Sequence, residues 1–318
     1  MNFRQMTESD IDPVRQVEAA AFNAWWKAVK GPLADLPCRT RTNILSILDK
    51  DPQGCFVAEA DGRVVGFIFS RTWGSVGWFG TFAVLPAFQG GGIGKQLVAL
   101  SLEYLRRKAG RWIGLETAPE SAYNQGLYLR QGFEFRFPTL LLSKPLALFV
   151  EAESPLPCWV SASEDIRQRW LSDLRVAWDK IHHGLDYSSE IIITAQRHQG
   201  KVWVLEYQGQ AVGMSVVWHE SPRDLIGDEE AIVQVLALHP DFTNEKGLYS
   251  LVQAGEFGAA AFGKQMITIA VNTRYTWALE LLLKWGYRVE RMAVRMVLKE
   301  TEPLSKPEIL VDLNRWAG

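Results

Sequence analysis

The segment from Ile93 to Lys108 has the clearest periodicity of apolar and polar positions in the chain. Apolar or small residues recur there every three or four positions, which places them along one stripe of a helix. They are Ile93, Leu97, Leu100, Ser101 and Tyr104. Three cationic residues, Arg106 to Lys108, and then Gly110 follow the stripe, and both features are typical of a helix C-terminus. The pattern therefore predicts a helix over Ile93–Lys108.

Shorter segments with the composition of strands occur on both sides of this helix. Asp61-Gly62 separates two of them and predicts a hairpin turn. The predicted strands are Phe3–Gln5, Cys55–Ala60, Val64–Ser70, Val76–Val84, Arg111–Thr117 and Phe133–Leu142, and further helices are predicted over Ile11–Ala24 and Ser121–Arg130. This mixture of helices and strands indicates an α/β fold of the α+β type.

The two halves of the chain resemble each other. Leu85-Pro86-Ala87-Phe88 matches His239-Pro240-Asp241-Phe242, and Gly132-Phe133 matches Gly286-Tyr287, both at an offset of 154 residues. Upstream, Phe56-Val57-Ala58-Glu59 matches Trp203-Val204-Leu205-Glu206 at an offset of 147. The change in offset predicts an insertion near His219–Gly227. Several matches in the same order indicate an internal repeat.

The repeat sets the predicted domain organisation. Residues 144–157 contain Pro145, Pro155 and Pro157 together with Glu151 and Glu153, which is typical of a linker. We therefore predict a first domain over residues 1–143, a linker over 144–157 and a second domain over 158–318.

Composition and charge exclude several classes of protein. Of the 318 residues, 47% are hydrophobic and 22% are charged, as in soluble globular proteins. The net charge of −2 and the absence of a basic stripe argue against a nucleic-acid partner. No apolar run is long enough to predict a membrane span, and the first residues do not resemble a signal peptide. Three widely spaced cysteines fit a reducing compartment, so we expect a cytoplasmic protein.

A glycine-rich loop carries the chemistry. Gln89-Gly90-Gly91-Gly92-Ile93-Gly94-Lys95 lies between a predicted strand and a predicted helix. Glycines let successive backbone N–H groups point at one anion, and a helix N-terminus adds partial positive charge. The loop therefore predicts a diphosphate site. A Walker loop does not fit, because Gln89 and Gln96 occupy positions that require glycine and Ser/Thr, and the spacing of a dinucleotide fingerprint is absent.

The loop resembles the acetyl-CoA signature of the GNAT superfamily of N-acetyltransferases, Q/R-x-x-G-x-G/A, here Gln89-x-x-Gly92-x-Gly94. The segment from Asn124 to Phe133, which contains Leu127-Tyr128 and Gly132-Phe133, resembles a second motif of that family. The resemblance implies two tandem GNAT-like domains, each with a mixed, mostly antiparallel central sheet flanked by helices.

The resemblance also implies residue roles in the first half. Acetyl-CoA is the implied cosubstrate. Its implied ligands are the strand residues Phe82, Ala83 and Val84, the loop residues Gln89, Gly90, Gly91, Gly92, Ile93, Gly94 and Lys95, and Asn124.

The implied general acid is Tyr128, which matches the family's proton donor to the departing thiolate; the alternative is a core tyrosine bonded to a carbonyl. Many family members carry a glutamate on the strand before the loop, but Ser75–Val84 has no ionisable side chain. Glu116 is the candidate base instead, with a solvated side chain or an ammonium-binding group as alternatives.

Signals for the acceptor are weaker. Trp25 and Trp26 follow the first helix where the family's acceptor groove is usually walled, and Phe79 adds aromatic surface. Most of the 13 tryptophans must lie in the core. His182-His183 and the other histidines show no metal-ligand spacing, so no metal is expected.

At the offset of 154, the second half lacks the motif residues. Gly92 and Gly94 correspond to Lys246 and Leu248, and Tyr128 corresponds to Leu282. We therefore expect a degenerate second domain without a cofactor site.

These observations favour an acetyl-CoA-dependent N-acetyltransferase acting on a primary amine of a small molecule or protein. The alternative is a non-catalytic acyl-CoA-binding regulatory protein. The expected assembly is a monomer or homodimer.

Overall fold

The first half of the chain alternates strands with four α-helices. In this computed structural model, residues 1–31, 35–110, 112–147, 154, 156–224, 229–298 and 310–315 are described. The elements are β1 (Asn2–Gln5), α1 (Ile11–Lys30), α2 (Arg41–Lys50), β2 (Phe56–Ala60), β3 (Arg63–Trp73), β4 (Val76–Val84), α3 (Ile93–Lys108), β5 (Trp112–Thr117), α4 (Ala122–Arg130), β6 (Phe133–Phe135) and β7 (Thr139–Pro145).

The described second half repeats the order from α1 to α4, and it then has β12 and β13 in place of β6 and β7. Its elements are α5 (Glu164–Ile181), α6 (Ser188–Gln196), β8 (Gly200–Tyr207), β9 (Gln210–Trp218), β10 (Glu230–Leu238), α7 (Glu245–Ala261), β11 (Met266–Asn272), α8 (Thr276–Lys284), β12 (Arg288–Leu298) and β13 (Val311–Asn314). Strand β10 begins 154 residues after β4, and α8 begins 154 residues after α4, so the repeat found in the sequence is confirmed.

Most predicted elements agree with the structure. The bounds of α3 and β4 are as predicted, and the β2–β3 turn has positive φ at Asp61 and Gly62, as a tight hairpin requires. Arg111 lies outside the described residues. Helix α2 was not predicted, although Thr40 caps its N-terminus by accepting a hydrogen bond from the Asn43 N–H.

The predicted strand Phe133–Leu142 is wrong as a single element. The structure divides it into β6 and β7, with Pro138 in the interruption. Proline has no N–H to donate to a sheet and is therefore disfavoured inside a paired strand.

Strands β7 and β12 are exchanged between the halves. The described strands form one sheet in the order β1-β2-β3-β4-β5-β12-β7-β11-β10-β9-β8. Antiparallel pairing joins β12 of the second half to β5 of the first, and β7 of the first half to β11 of the second. The final strands of the two halves therefore lie side by side in one sheet.

The core also continues across the halves. Trp73, Trp78 and Trp112 belong to the same buried cluster as the apolar residues of α5, β9 and β10. The predicted linker begins inside β7, because Lys144 and Pro145 belong to that strand, while residues 148–153 and 155 lie outside the described residues. The predicted domain boundaries stay a prediction.

Because each half supplies a strand to the other, neither half should fold alone. We expect a fragment of residues 1–147 and a fragment of residues 154–318 each to lack a cooperative thermal transition, since the edges of β5 and β11 lose their partners. Mixing the two fragments should restore one transition, measured by circular dichroism against the intact chain. A cooperative transition in either isolated fragment would contradict this expectation.

Candidate active site

A gap between β4 and β5 defines the site. These two strands are parallel neighbours only from Val76 to Trp78, which pair with Trp112 to Gly114. Beyond Trp78, β4 stays paired with β3 on its other edge, while β5 pairs with β12. The edge of β4 from Phe79 to Val84 that faces β5 therefore has no strand partner among the described residues. Free backbone donors and acceptors on such an edge can bind an extended ligand.

The glycine-rich loop follows this edge and opens α3. Gly90 and Gly92 have φ of +82° and +84°, a conformation that favours glycine, and Gly92 is the N-cap of α3. A Cβ at either position would meet no atom within 4 Å, so the space over the loop is open. The N–H groups of residues 90–95 donate to no described carbonyl or side chain. Such N–H groups and the positive end of the helix dipole are the features that attract an anion.

Side chains around the loop fix its position and add charge. The Gln89 amide donates to the Val84 carbonyl at 2.9 Å, which ties the loop to the end of β4. Lys95 is exposed in the first turn of α3. An open cleft of about 580 Å³ lies over this surface, between the loop and the start of β1. Its size is sufficient for a diphosphate-containing ligand.

Helix α4 brings Asn124 and Tyr128 to one of its faces, since they are four residues apart. The Tyr128 ring is 3% exposed and lies against Phe79 and Phe133, with ring centroids 5.7 and 6.2 Å away. The ring of Phe82, on the free edge of β4, is 6.4 Å from it. Tyr128 therefore lies beside the strand that the sequence predicts to bind the cofactor.

The Tyr128 hydroxyl has no hydrogen-bond partner among the described residues. Burial raises its pKa well above the usual value of 10.0. The alternative of a core tyrosine bonded to a carbonyl is therefore not supported. A phenol with a raised pKa stays protonated at neutral pH and is able to donate a proton.

The Glu116 carboxylate is buried and already bonded to other side chains, whereas its predicted role as a base requires a carboxylate that can accept a proton from the amine. Its carboxylate accepts hydrogen bonds from Arg295 Nε at 2.8 Å and from the Thr139 hydroxyl at 2.5 Å. Both the Glu116 and the Arg295 side chains are about 95% buried, with 5% and 4% exposed. Arg295 lies directly opposite Glu116 on β12. The base role stays a prediction, but the carboxylate is already engaged in a buried ion pair between the two halves.

The predicted acceptor-binding aromatic residues are separated. Trp25 and Trp26 lie near the end of α1, half-buried, with ring centroids 4.8 Å apart. Phe79 is 2% exposed and packs against Tyr128 and Phe133, so its ring offers almost no surface to an acceptor. An acceptor wall built by Trp25 and Trp26 stays a prediction.

Two arginines that were not predicted as functional residues hold β4 in place. Arg71 Nη2 donates to the Gly80 carbonyl at 2.9 Å, and Arg39 Nη2 donates to the Thr81 hydroxyl at 2.8 Å. These contacts lie where the β3–β4 register shifts, just before Phe82. The sequence does contain a sign of such buried ion pairs, namely a charged residue at a position that the local apolar pattern predicts to be buried. Glu18, on the apolar face of α1 and 0% exposed, is such a residue, and it pairs with Arg39.

The equivalent gap in the second half is filled by the chain itself. β10 and β11 pair in parallel from Glu230 to Val233 and then separate, as β4 and β5 do. Strand β13 lies in this gap, pairs with β10 from Val235 to Leu238 and also contacts β11. Its four residues are buried.

Two negative findings concern the described residues. No group of three or more His, Cys, Asp or Glu side chains among them is arranged to hold a metal ion. None of the helices in the described part of the chain has both the length and the apolar character needed to cross a membrane.

Comparison with known sequences identifies a family and several related proteins. The model of the Acetyltransferase (GNAT) family matches residues 19–133. The chain is 35% identical over 85 residues to a mycothiol acetyltransferase of Streptomyces griseus, which is 26% of this chain and 28% of that protein. It is 40% identical over 83 residues to an uncharacterized N-acetyltransferase of Archaeoglobus fulgidus, covering 21% of this chain and 54% of that protein. The chain thus spans about half or less of these relatives.

A third relative is covered more completely. The chain is 31% identical over 138 residues to an uncharacterized N-acetyltransferase of Methanocaldococcus jannaschii, which is 43% of this chain and 80% of that protein.

Solved structures of similar fold extend over both halves. A putative acetyltransferase from Pyrococcus horikoshii has a TM-score of 0.68 at 18% identity, covering 99% of this chain and 95% of that one. A tandem GNAT protein from the clavulanic acid biosynthesis pathway has a TM-score of 0.57 at 14% identity, covering 95% and 99%. At these identities the likeness concerns the fold, which is thus the mixed, mostly antiparallel sheet with flanking helices of tandem GNAT proteins. From the family match and the extent of the Methanocaldococcus jannaschii alignment, we conclude that the chain belongs to the GNAT family of acetyltransferases.

Proposed function

We propose that this protein is an acetyl-CoA-dependent N-acetyltransferase that acts on a primary amine of a small molecule or protein. The observation that carries the proposal is the free edge of β4 leading directly into the anion site at the start of α3. A cosubstrate with an amide-containing arm and a diphosphate needs these two features next to each other.

The residues present fit acetyl-CoA. The backbone groups of Phe82, Ala83 and Val84 lie on the free edge, where they would pair with the amides of the pantetheine arm. The N–H groups of residues 90–95 and the exposed Lys95 would hold the diphosphate. Asn124 lies half-exposed on α4, one turn before Tyr128, and would contact the end of the arm.

Acetyl-CoA, when bound, supplies an acetyl thioester and a thiolate leaving group. Tyr128 is the residue that we place at the leaving group, because its hydroxyl has no protein partner and its ring lies beside Phe82. The phenol is protonated at neutral pH, as a proton donor must be, and the aromatic residues around it exclude water.

The amine is proposed to react without a dedicated base. Strand β4 carries no ionisable side chain, and the Glu116 carboxylate is held by Arg295 and Thr139. The neutral amine would then come from solution, so kcat/KM should rise with pH up to the pKa of the amine itself.

The second half is proposed to be a degenerate GNAT domain that binds no cofactor. Lys246 and Leu248 replace two of the loop glycines, and β13 lies where the arm of a cofactor would have to pair. The protein would therefore bind one acetyl-CoA per chain.

One observation favours the alternative of a non-catalytic acyl-CoA-binding protein, namely the engaged carboxylate of Glu116. Release of free CoA thiol, measured across a panel of primary amines, separates the two functions. Thiol release that depends on an amine supports the enzyme, while tight acetyl-CoA binding without release supports the binding protein.

The first prediction concerns Tyr128. Tyr128→Phe should lower turnover by roughly 10- to 1,000-fold and leave acetyl-CoA affinity within a few-fold, because only a proton donor is lost. Folding stability should hardly change, since the hydroxyl makes no hydrogen bond. Tyr123→Phe, on the same helix and 72% exposed, is the matched control. Steady-state kinetics with thiol detection checks this, and unchanged turnover in Tyr128→Phe would exclude the acid role.

The second prediction concerns stoichiometry. Calorimetry should give one acetyl-CoA per chain. Gly92→Glu should abolish binding, because it places a carboxylate at a site for negative charge and a side chain at φ of +84°. Lys246→Glu, at the equivalent position, should leave the count at one. Two cofactors per chain, or normal binding by Gly92→Glu, would refute this assignment.

The third prediction concerns the ion pair of Glu116. Glu116→Gln should destabilise the fold by about 3–5 kcal/mol, because Arg295 stays buried without its carboxylate. The acidic limb of the rate–pH profile should keep its position. Denaturant unfolding and pH-dependent kinetics measure the two effects, with the exposed Glu120→Gln as control. A displaced acidic limb with unchanged stability would instead identify Glu116 as the base.

A further inference from the structure

A small enclosed cavity lies at the contact between the two halves, away from the glycine-rich loop. Its free volume is about 10 Å³, which leaves room for roughly one water molecule. The first half contributes Asn43 and Lys50 of α2 and Arg71 of β3. The second half contributes Glu190 of α6, Gln234 of β10 and Arg315, which follows β13.

The charges around this cavity do not balance. Lys50, Arg71 and Arg315 line it, whereas Glu190 is the sole carboxylate among its lining residues. Glu190 is engaged on two sides, since it pairs with the Lys50 ammonium and accepts a hydrogen bond from the Trp73 indole at 2.8 Å. Two guanidinium groups therefore face the cavity without a carboxylate of their own.

Both arginines are incompletely bonded. Arg71 is 7% exposed, and its Nε, fully buried, has no hydrogen-bond partner, although its Nη2 donates to the Gly80 carbonyl. Arg315 is half-buried, and its side chain has no hydrogen-bond or ion-pair partner among the described residues. Desolvation by burial lowers the pKa of each guanidinium to about 10.

Neighbouring carboxylates supply only part of the missing charge, since Glu230 attracts Arg315 electrostatically without forming an ion pair with it. Glu18 is shared by Arg39 and Arg223, so that pairing itself leaves a positive excess. Asp51 accepts hydrogen bonds from the Thr72 backbone and hydroxyl and from the Tyr104 hydroxyl. A buried charge without a counter-charge is costly, and an anion in the cavity would remove much of that cost.

We propose that this cavity binds one monatomic anion of the size of chloride, between Arg71 and Arg315. The free volume fits a single atom and is too small for a carboxylate or a sulfate. A water molecule would satisfy Arg71 Nε as a hydrogen-bond acceptor but would leave the positive excess.

The bound anion would connect the two halves and would also help to hold β4 in position. The bound anion would hold Arg71, and Arg71 holds the Gly80 carbonyl two residues before Phe82. It would also fix Arg315, and through it the end of β13, against the first half. The proposal concerns an anion that stabilises the fold, and it does not depend on the proposed acetyl transfer.

Bromide replaces chloride and scatters X-rays anomalously, so diffraction from crystals of the wild-type protein grown in sodium bromide is the decisive test. We expect an anomalous peak in the cavity within hydrogen-bond distance of Arg71 Nε. Absence of a peak there, with an ordered water in its place, would overturn the proposal.

Thermal unfolding at constant ionic strength gives the fourth prediction. Replacing sodium chloride by sodium gluconate, whose anion is too large for the cavity, should lower the Tm of the wild type by about 5 °C, as expected when chloride exceeds its dissociation constant about 100-fold. Arg71→Met should lose this difference. Arg63→Met, on the exposed end of the same strand, should keep it and so corrects for general salt effects.

Arg315→Met provides a second variant in case Arg71→Met does not fold, and it too should lose the chloride dependence. Equal Tm values for the wild type in chloride and gluconate would overturn the proposal. A chloride dependence that persists in the folded Arg315 or Arg71 variant would overturn it as well.

Discussion

The exchange of β7 and β12 is the constraint on which the rest of the structure depends. Each of these strands lies between two strands of the other half, so β5, β12, β7 and β11 form a continuous centre of the sheet. Without the exchange, two long strand edges would expose backbone groups that need partners. The tryptophan-rich core that contains Trp78 and Trp112 continues across the same boundary. The second half is therefore part of the scaffold that holds the candidate site.

The same strand geometry has two different outcomes in the two halves. After three or four paired residues, β4 leaves β5 and β10 leaves β11. In the first half the gap stays free and ends at a loop whose glycines expose backbone N–H groups. In the second half β13 fills the gap and pairs with β10. A sheet that separates in this way needs a partner for its free edge, and the two halves differ in whether the chain provides one.

Buried charges concentrate where the halves meet. Arg295 and Glu116 pair across β12 and β5, Arg223 reaches Glu18 on α1, and Lys50 on α2 pairs with Glu190 on α6. Such pairs add little net stability because both partners must be desolvated, yet removing one partner is strongly destabilising. They therefore favour one relative arrangement of the halves, with β4 held at its register shift by Arg39 and Arg71.

The sequence by itself determined the local elements, the repeat and the cofactor loop. The periodicity of α3, the turn at Asp61-Gly62 and the glycines from Gly90 to Gly94 each depend on neighbours a few residues apart, so their patterns are visible in the chain. The buried partner of Glu116 was not predictable, since Arg295 is 179 residues from Glu116. Only the tertiary structure decided that β7 and β12 are exchanged and that β13 fills the second gap. Strand pairing depends on backbone hydrogen bonds that any sequence can make, so local residue patterns do not specify which distant strand becomes the partner.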